Sequence, residues 1–154
     1  MSLIENLPES RIKIGLSATE KTEILREILE TLVEDGVIKN LEAVLAQLLA
    51  REEKGSTGIG NGIAIPHIRT EQVTQIEYTF ASSKEGVDFE SLDGNPAHIL
   101  FLLLAPEGTH GPHIKALASL SRILNDSTVR VRLKNAETAG EIRNVLDERE
   151  KELV

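Results

Sequence analysis

Seven consecutive apolar residues, Ile99-Leu100-Phe101-Leu102-Leu103-Leu104-Ala105, leave a chain of this size few ways to fold. A strand turns successive side chains to opposite faces, so a run with no polar alternation must be covered on both sides. The run is far shorter than the ~18 residues a membrane span needs, and it lies between the turn residues Asp93-Gly94 and Pro106-Glu107-Gly108. It reads as a central strand with helices on both faces, which is an α/β layered fold. With 154 residues and 40% hydrophobic content, the chain can bury one good core and is too short for two ordinary domains.

The flanking pattern supplies the helices. Arg11-Ile12-Lys13-Ile14-Gly15-Leu16 alternates as an opening strand, and Ser17-Ala18-Thr19-Glu20 fits a capping box. Ile24, Leu25, Ile28, Leu29, Leu32 and Val33 then recur at helical spacing until Gly36. Asn40 is the expected N-cap of a second helix, which carries Leu41, Val44, Leu45, Leu48 and Leu49 and runs to about Lys54. Residues 76–81 read as a strand, residues 86–89 as a loop, and residues 106–112 as a loop after the central strand. His113 is expected to begin a helix whose buried face is Ile114, Leu117, Ala118, Ser121 and Leu124. Residues 125–127 cap a short helix through Val129 and Leu133, and residues 137–148 form a last, charged helix with Ile142, Val145 and Leu146 inward.

Between the second helix and residue 76 lies the chemically informative stretch, Gly55-Ser56-Thr57-Gly58-Ile59-Gly60-Asn61-Gly62-Ile63-Ala64-Ile65-Pro66-His67. Its glycines permit positive φ and close approach of N–H groups to an anion, so it reads as a phosphate-binding loop, with Ser56, Thr57 and Asn61 as supporting polar groups. Ile63-Ala64-Ile65 reads as a brief buried strand that Pro66 ends, leaving His67 at the strand terminus. A neutral imidazole offers a lone pair at neutral pH while its other nitrogen donates a hydrogen bond that fixes the ring. His67 is thus the expected phosphoryl acceptor. Arg51, His113 and loop N–H groups would stabilise the charge that spreads over the equatorial oxygens in transfer.

Composition narrows the classes. Cysteine is absent, which removes disulfides and thiolate chemistry. A net charge of -8 with 3% aromatic residues argues against nucleic acid as a partner. The first eight residues lack the basic segment and apolar run of a secretory signal, so a cytoplasmic protein is expected, with no membrane insertion. A nucleotide site is disfavoured, because Lys54-Gly55-Ser56-Thr57 reverses the P-loop order of lysine and glycine and Gly58-x-Gly60-x-Gly62 lacks the Rossmann spacing. A metal enzyme built on His110-x-x-His113 with His67 or Glu107 is the other alternative. The expectation is no metal and no cofactor.

Arg51-Glu52, the glycine-rich stretch ending in Ile65-Pro66-His67, Asp93-Gly94 and His113-Ile114-x-x-Leu117-Ala118, in this order, resemble the enzyme IIA domain of the bacterial sugar phosphotransferase system. The resemblance is to its fructose/mannitol and nitrogen-regulatory family and covers nearly the whole chain. It implies a single α/β sandwich domain over residues 1–154, with a mixed central sheet flanked by helices. It also implies a phosphohistidine relay: the active-site histidine takes a phosphoryl group from the phosphocarrier HPr, or its nitrogen-branch counterpart, and passes it to a sugar-specific IIB partner. His67 matches that histidine, and His113 and Arg51 match the second histidine and the arginine beside it. Ile68 stands where the family commonly has a small residue, so the pocket rim is expected to differ. A regulatory module that controls a binding partner through its phosphorylation state, without sugar transport, fits the same resemblance.

Overall fold

In the computed structural model, which describes residues 3–153, two 3-10 turns (Ile4–Asn6 and Glu9–Arg11) lead into β1 (Ile12–Ile14). There follow α1 (Lys21–Glu34), α2 (Leu41–Glu53), β2 (Gly58–Gly60), β3 (Ile63–Ala64), β4 (His67–Thr70), β5 (Glu77–Val87), β6 (Ala97–Pro106), α3 (His110–Leu124), α4 (Ser127–Asn135) and α5 (Ala139–Glu152). The strands make one mixed sheet in the order β1-β5-β6-β3-β2, with β4 also paired to β6. The β5–β6 and β2–β3 pairs are antiparallel, whereas β1 runs parallel to β5, and β3 and β4 run parallel to β6.

The apolar run is this sheet's centre, and its alternation divides the interior. Ile99, Phe101, Leu103 and Ala105 point to a core closed by α3, α4 and α5, while Leu100, Leu102 and Leu104 point to a second core closed by α1 and α2. Leu100, Phe101 and Leu103 are fully buried, as two-sided cover requires.

Several local expectations change. The capping box does not form: α1 starts at Lys21 with no side-chain cap, and the Ser17 and Ala18 N–H groups donate instead to the Glu27 carboxylate at 2.8–3.1 Å. Asn40 does cap α2, its side chain accepting from the Ala43 N–H at 3.1 Å. β5 runs on through Gly86 and Val87, where a register shift between Ser82 and Val87 absorbs the glycine at φ 91°.

The helix after β6 starts three residues before His113. Gly108, at φ 83°, turns the chain out of the strand, and Pro112 falls in the first helical turn, where a missing N–H costs nothing. The buried face of α3 is Ala116, Leu120, Ile123 and Leu124, while Ile114 is 66% exposed and Ala118 and Ser121 face solvent. The sequence is apolar on two adjacent stripes, and packing on the sheet selects the other one.

Candidate functional site

The chain beside β6 is interrupted at Ile65-Pro66. β3 ends at Ala64, the Leu103 N–H donates to the Pro66 carbonyl at 3.0 Å, and His67 opens β4 instead of closing a strand. Proline breaks the ladder as expected, but the chain resumes pairing at once. The break frees the Ile65 carbonyl, which accepts from His67 Nδ1 at 2.7 Å. A carbonyl only accepts, so the proton sits on Nδ1 and Nε2 keeps its lone pair. Burial, reinforced by the charge of Arg51, holds the His67 pKa below its ordinary value against the opposing pull of the Ile65 carbonyl and Glu52. The ring is therefore neutral at neutral pH.

His113, in the first turn of α3, meets His67 edge to face with ring centroids 5.6 Å apart and planes at 70°. Its Nε2 is buried and has no hydrogen-bond partner among the described residues. Burial lowers its pKa as well, with the charges of His67, Arg69 and His110 adding to the effect. The α3 N-terminus, whose first N–H groups lack helical acceptors, opens on the same side and favours an anion there.

Both histidines line a cleft of about 720 Å³. Arg51, in the last turn of α2, lines it too, and its guanidinium donates to the Gly55 carbonyl at 2.9 Å. Arg69 and Lys54 complete the cationic wall, and the Arg69 guanidinium lies against the ring of His110. The lining thus carries two arginines, one lysine and three histidines against one carboxylate, Glu107, in a chain of net charge -8. That local inversion of charge suits an anionic substrate. Among the described residues no group of three or more His, Asp or Glu side chains is placed to hold a metal ion, so His110, His113, His67 and Glu107 do not form a ligand set.

The cleft unites His67, His113 and Arg51, but not Ser56, Thr57 or Asn61. The glycine-rich stretch is a β-hairpin, not an anion nest. Gly58–Gly60 pairs antiparallel with Ile63–Ala64, and Asn61 at φ 57° and Gly62 at φ 76° make the turn. Asn-Gly between two apolar runs is the strongest short signal for such a hairpin, and it was present in the sequence. Ser56 Oγ donates to the Phe89 carbonyl at 3.1 Å, Thr57 is buried against Glu52, and the Asn61 N–H donates to Asp93 at 3.3 Å. Ile68 is 8% exposed and packs into the α1–α2 core, and it also lines the cleft beside His67.

Arg69, Lys54 and His110 line the cleft as well, although the sequence offered His110 only as a ligand in the metal alternative. Arg69 was within reach, because residues two apart on a strand share a face, and His67 and Arg69 both lie in β4. For Lys54 no local pattern gave the signal, since the cleft draws it from the end of α2.

The family described as "Phosphoenolpyruvate-dependent sugar phosphotransferase system, EIIA 2" matches residues 5–149. The PTS system fructose-specific EIIABC component of Bacillus subtilis (strain 168) is 38% identical over 151 residues, covering 98% of this chain and 24% of that protein. This chain therefore spans about a quarter of that relative. The nitrogen regulatory protein IIA-Ntr of Neisseria meningitidis superposes with a TM-score of 0.87 at 34% identity, covering 94% of this chain and 98% of its own. The IIA chain in the complex of enzyme IIAMTL with phosphorylated enzyme IIBMTL from Escherichia coli superposes with a TM-score of 0.76 at 26% identity, covering 92% and 96%. Among the described residues no helix is long and apolar enough to cross a membrane.

Proposed function

Because the chain belongs to the EIIA 2 family of the phosphoenolpyruvate-dependent sugar phosphotransferase system, we propose that it is a phosphohistidine carrier. It takes a phosphoryl group from an HPr-type phosphocarrier on Nε2 of His67 and passes it to a IIB partner. On this reading residues 1–154 act as one EIIA domain in the cytoplasm, as part of a relay and without a metal or other cofactor. The observation that carries the proposal is the bond from His67 Nδ1 to the Ile65 carbonyl at 2.7 Å, which leaves Nε2 as the nucleophile at the edge of a cationic cleft.

The Nε2 lone pair attacks phosphorus as the bond to the donor's phosphohistidine nitrogen breaks, and that electron pair returns to the donor. The imidazole becomes a phosphorylated imidazolium, and the proton on Nδ1, held by the Ile65 carbonyl, stabilises its positive charge. Arg51 and the otherwise unpaired Nε2 of His113, carrying a proton, supply hydrogen bonds to the equatorial oxygens. Attack of a partner's nucleophile on phosphorus reverses the step, because the imidazolium is a good leaving group.

A second reading, favoured by the match to IIA-Ntr over 98% of that chain's length, is a regulatory module whose phosphorylation state governs a binding partner. Incubation with phosphoenolpyruvate, enzyme I and HPr or its nitrogen-branch counterpart, followed by a IIB domain, tests both. The carrier reading expects one acid-labile, alkali-stable phosphoryl group that His67→Ala cannot accept and that a IIB domain discharges. A label that persists in His67→Ala removes the site assignment. A label that no IIB domain discharges favours the regulatory module.

A further inference from the structure

Glu52 follows Arg51 in the last turn of α2, but it is only 7% exposed and does not line the cleft. A buried carboxylate at a helix C-terminus faces both a desolvation cost and the negative end of the helix dipole. Three donors offset that cost: Lys21 Nζ at 3.0 Å, the Thr57 N–H at 3.0 Å and the Thr57 hydroxyl at 2.5 Å. Lys21 is itself held 4.8 Å above the Phe89 ring. Such a buried pair is weak support for a fold as such, since apolar residues of similar volume do as well.

What lies beyond Thr57 gives the carboxylate a different use. The Ile65 N–H donates to the Thr57 carbonyl at 3.0 Å, and the carbonyl of the same Ile65 accepts from His67 Nδ1 at 2.7 Å. An unbroken path of hydrogen bonds therefore runs Lys21, Glu52, Thr57, Ile65, His67. It bypasses the Asn61-Gly62 turn and pins the Ile65-Pro66 break between β3 and β4 to the helix that carries Arg51. Ile65 lies between β3 and β4, so the Thr57 bond anchors the Ala64–Ile65 peptide and thereby places the residue whose carbonyl, on the following Ile65–Pro66 peptide, faces His67.

We propose that Glu52 is a positioning residue for His67: it holds Thr57, and through Thr57 the Ile65 carbonyl, so that Nδ1 keeps the proton and Nε2 stays free to react. The use of that nitrogen in phosphoryl transfer rests on the proposed function, whereas the positioning itself is a property of the unphosphorylated protein. Thr57 then serves the site through this bond, without touching phosphate.

The test uses the full chain labelled with [15N]histidine, as wild type, Glu52→Gln, Thr57→Val and Thr57→Ser, each checked for fold by circular dichroism. Imidazole proton–nitrogen correlation spectra of the unphosphorylated proteins at pH 7.5 give the His67 tautomers. The expected result is a dominant Nδ1–H form in wild type. The Nδ1–H to Nε2–H ratio falls about fivefold in folded Glu52→Gln and Thr57→Val, as when a hydrogen bond of ordinary strength is weakened. Phosphoryl transfer from HPr slows about tenfold in the same two variants, and Thr57→Ser recovers most of both signals. Thr57→Val carries the test if Glu52→Gln fails to fold. An unchanged tautomer ratio in the folded variants overturns the proposal, even if their melting temperatures drop. A ratio that moves in a protein that no carrier phosphorylates supports the positioning and refutes the relay instead.

Discussion

His98 stands in the first residues of β6 and His67 is paired beside its other end, and they look alike in one respect: each directs its Nδ1 to a backbone carbonyl, Ser83 at 2.9 Å and Ile65 at 2.7 Å. Their surroundings separate them. His98 is wedged against two glycines, where a Cβ on Gly86 would stand 2.9 Å from the ring and one on Gly62 would stand 3.3 Å from it. Its ring fills space. His67 opens on a cleft walled by Arg51, Lys54, Arg69 and the second histidine. Fixing a tautomer is thus a local device that either a packing histidine or a reactive one can use. Reactivity needs a free second nitrogen and cations placed for the incoming charge.

The sharpest break of this comparison is a pair of variants. His67→Ala should take up no phosphoryl group, whereas His98→Gln should label to the wild-type stoichiometry, both read by intact mass. Labelling lost in His98→Gln with the fold intact would mean that the two ends of β6 are not functionally distinct. Next in size is His113→Ala, which on the proposed function removes a donor to the phosphoryl oxygens. Transfer should slow on the order of 10²-fold by stopped flow, with helical content unchanged because His113 is only half-buried. Arg51→Lys should be milder, about tenfold, since charge survives and the planar two-pronged fork is lost. If Arg51 serves only as a helix-end cation held to the Gly55 carbonyl, lysine replaces a dipole interaction worth ~0.3–1 kcal/mol and the rate stays at wild type.

The smallest effect concerns pH. His67 and His113 both have pKa values held below the ordinary 6.5, first by burial. As pH falls through that value the unfolded chain takes up protons before the folded one, so stability is present above it and is lost as pH falls toward the folded values. The melting temperature should decline from pH 7.5 to 5.5, and the double variant His67→Ala/His113→Ala should flatten that slope. A slope unchanged in the double variant would show that the cleft histidines carry no such linkage.

Much of this was legible in the chain. The run from Ile99 to Ala105 announced the central strand and its two-sided cover, Asn40 announced its helix, and Ile142, Val145 and Leu146 turn inward as their spacing says. His67, His113 and Arg51, which the cleft brings together, are marked in the sequence by a proline break and two helix ends. The remainder depended on tertiary context. Glycines beside Ser56 and Thr57 suit a nest as well as a hairpin, and the Asn61-Gly62 pair that favours the hairpin is borne out by the pairing of β2 with β3. The register of α3 was ambiguous because Ile114 and Ala118 on one stripe compete with Ala116 and Leu120 on the next. The link proposed from Glu52 to His67 could not be read there, since beyond the Thr57 hydroxyl it passes through backbone groups of Thr57 and Ile65 that any residue supplies.

The central claim, that phosphate is carried on Nε2 of His67 while Nδ1 stays bonded to the Ile65 carbonyl, is tested most directly by nuclear magnetic resonance. Protein labelled with [15N]histidine is phosphorylated by phosphoenolpyruvate, enzyme I and HPr, and the phosphorus–nitrogen coupling is read on each imidazole. The expected result is one coupled nitrogen, Nε2 of His67, with the Nδ1 proton still protected from exchange. Coupling at Nδ1 of His67, or on His110 or His113, would contradict the account.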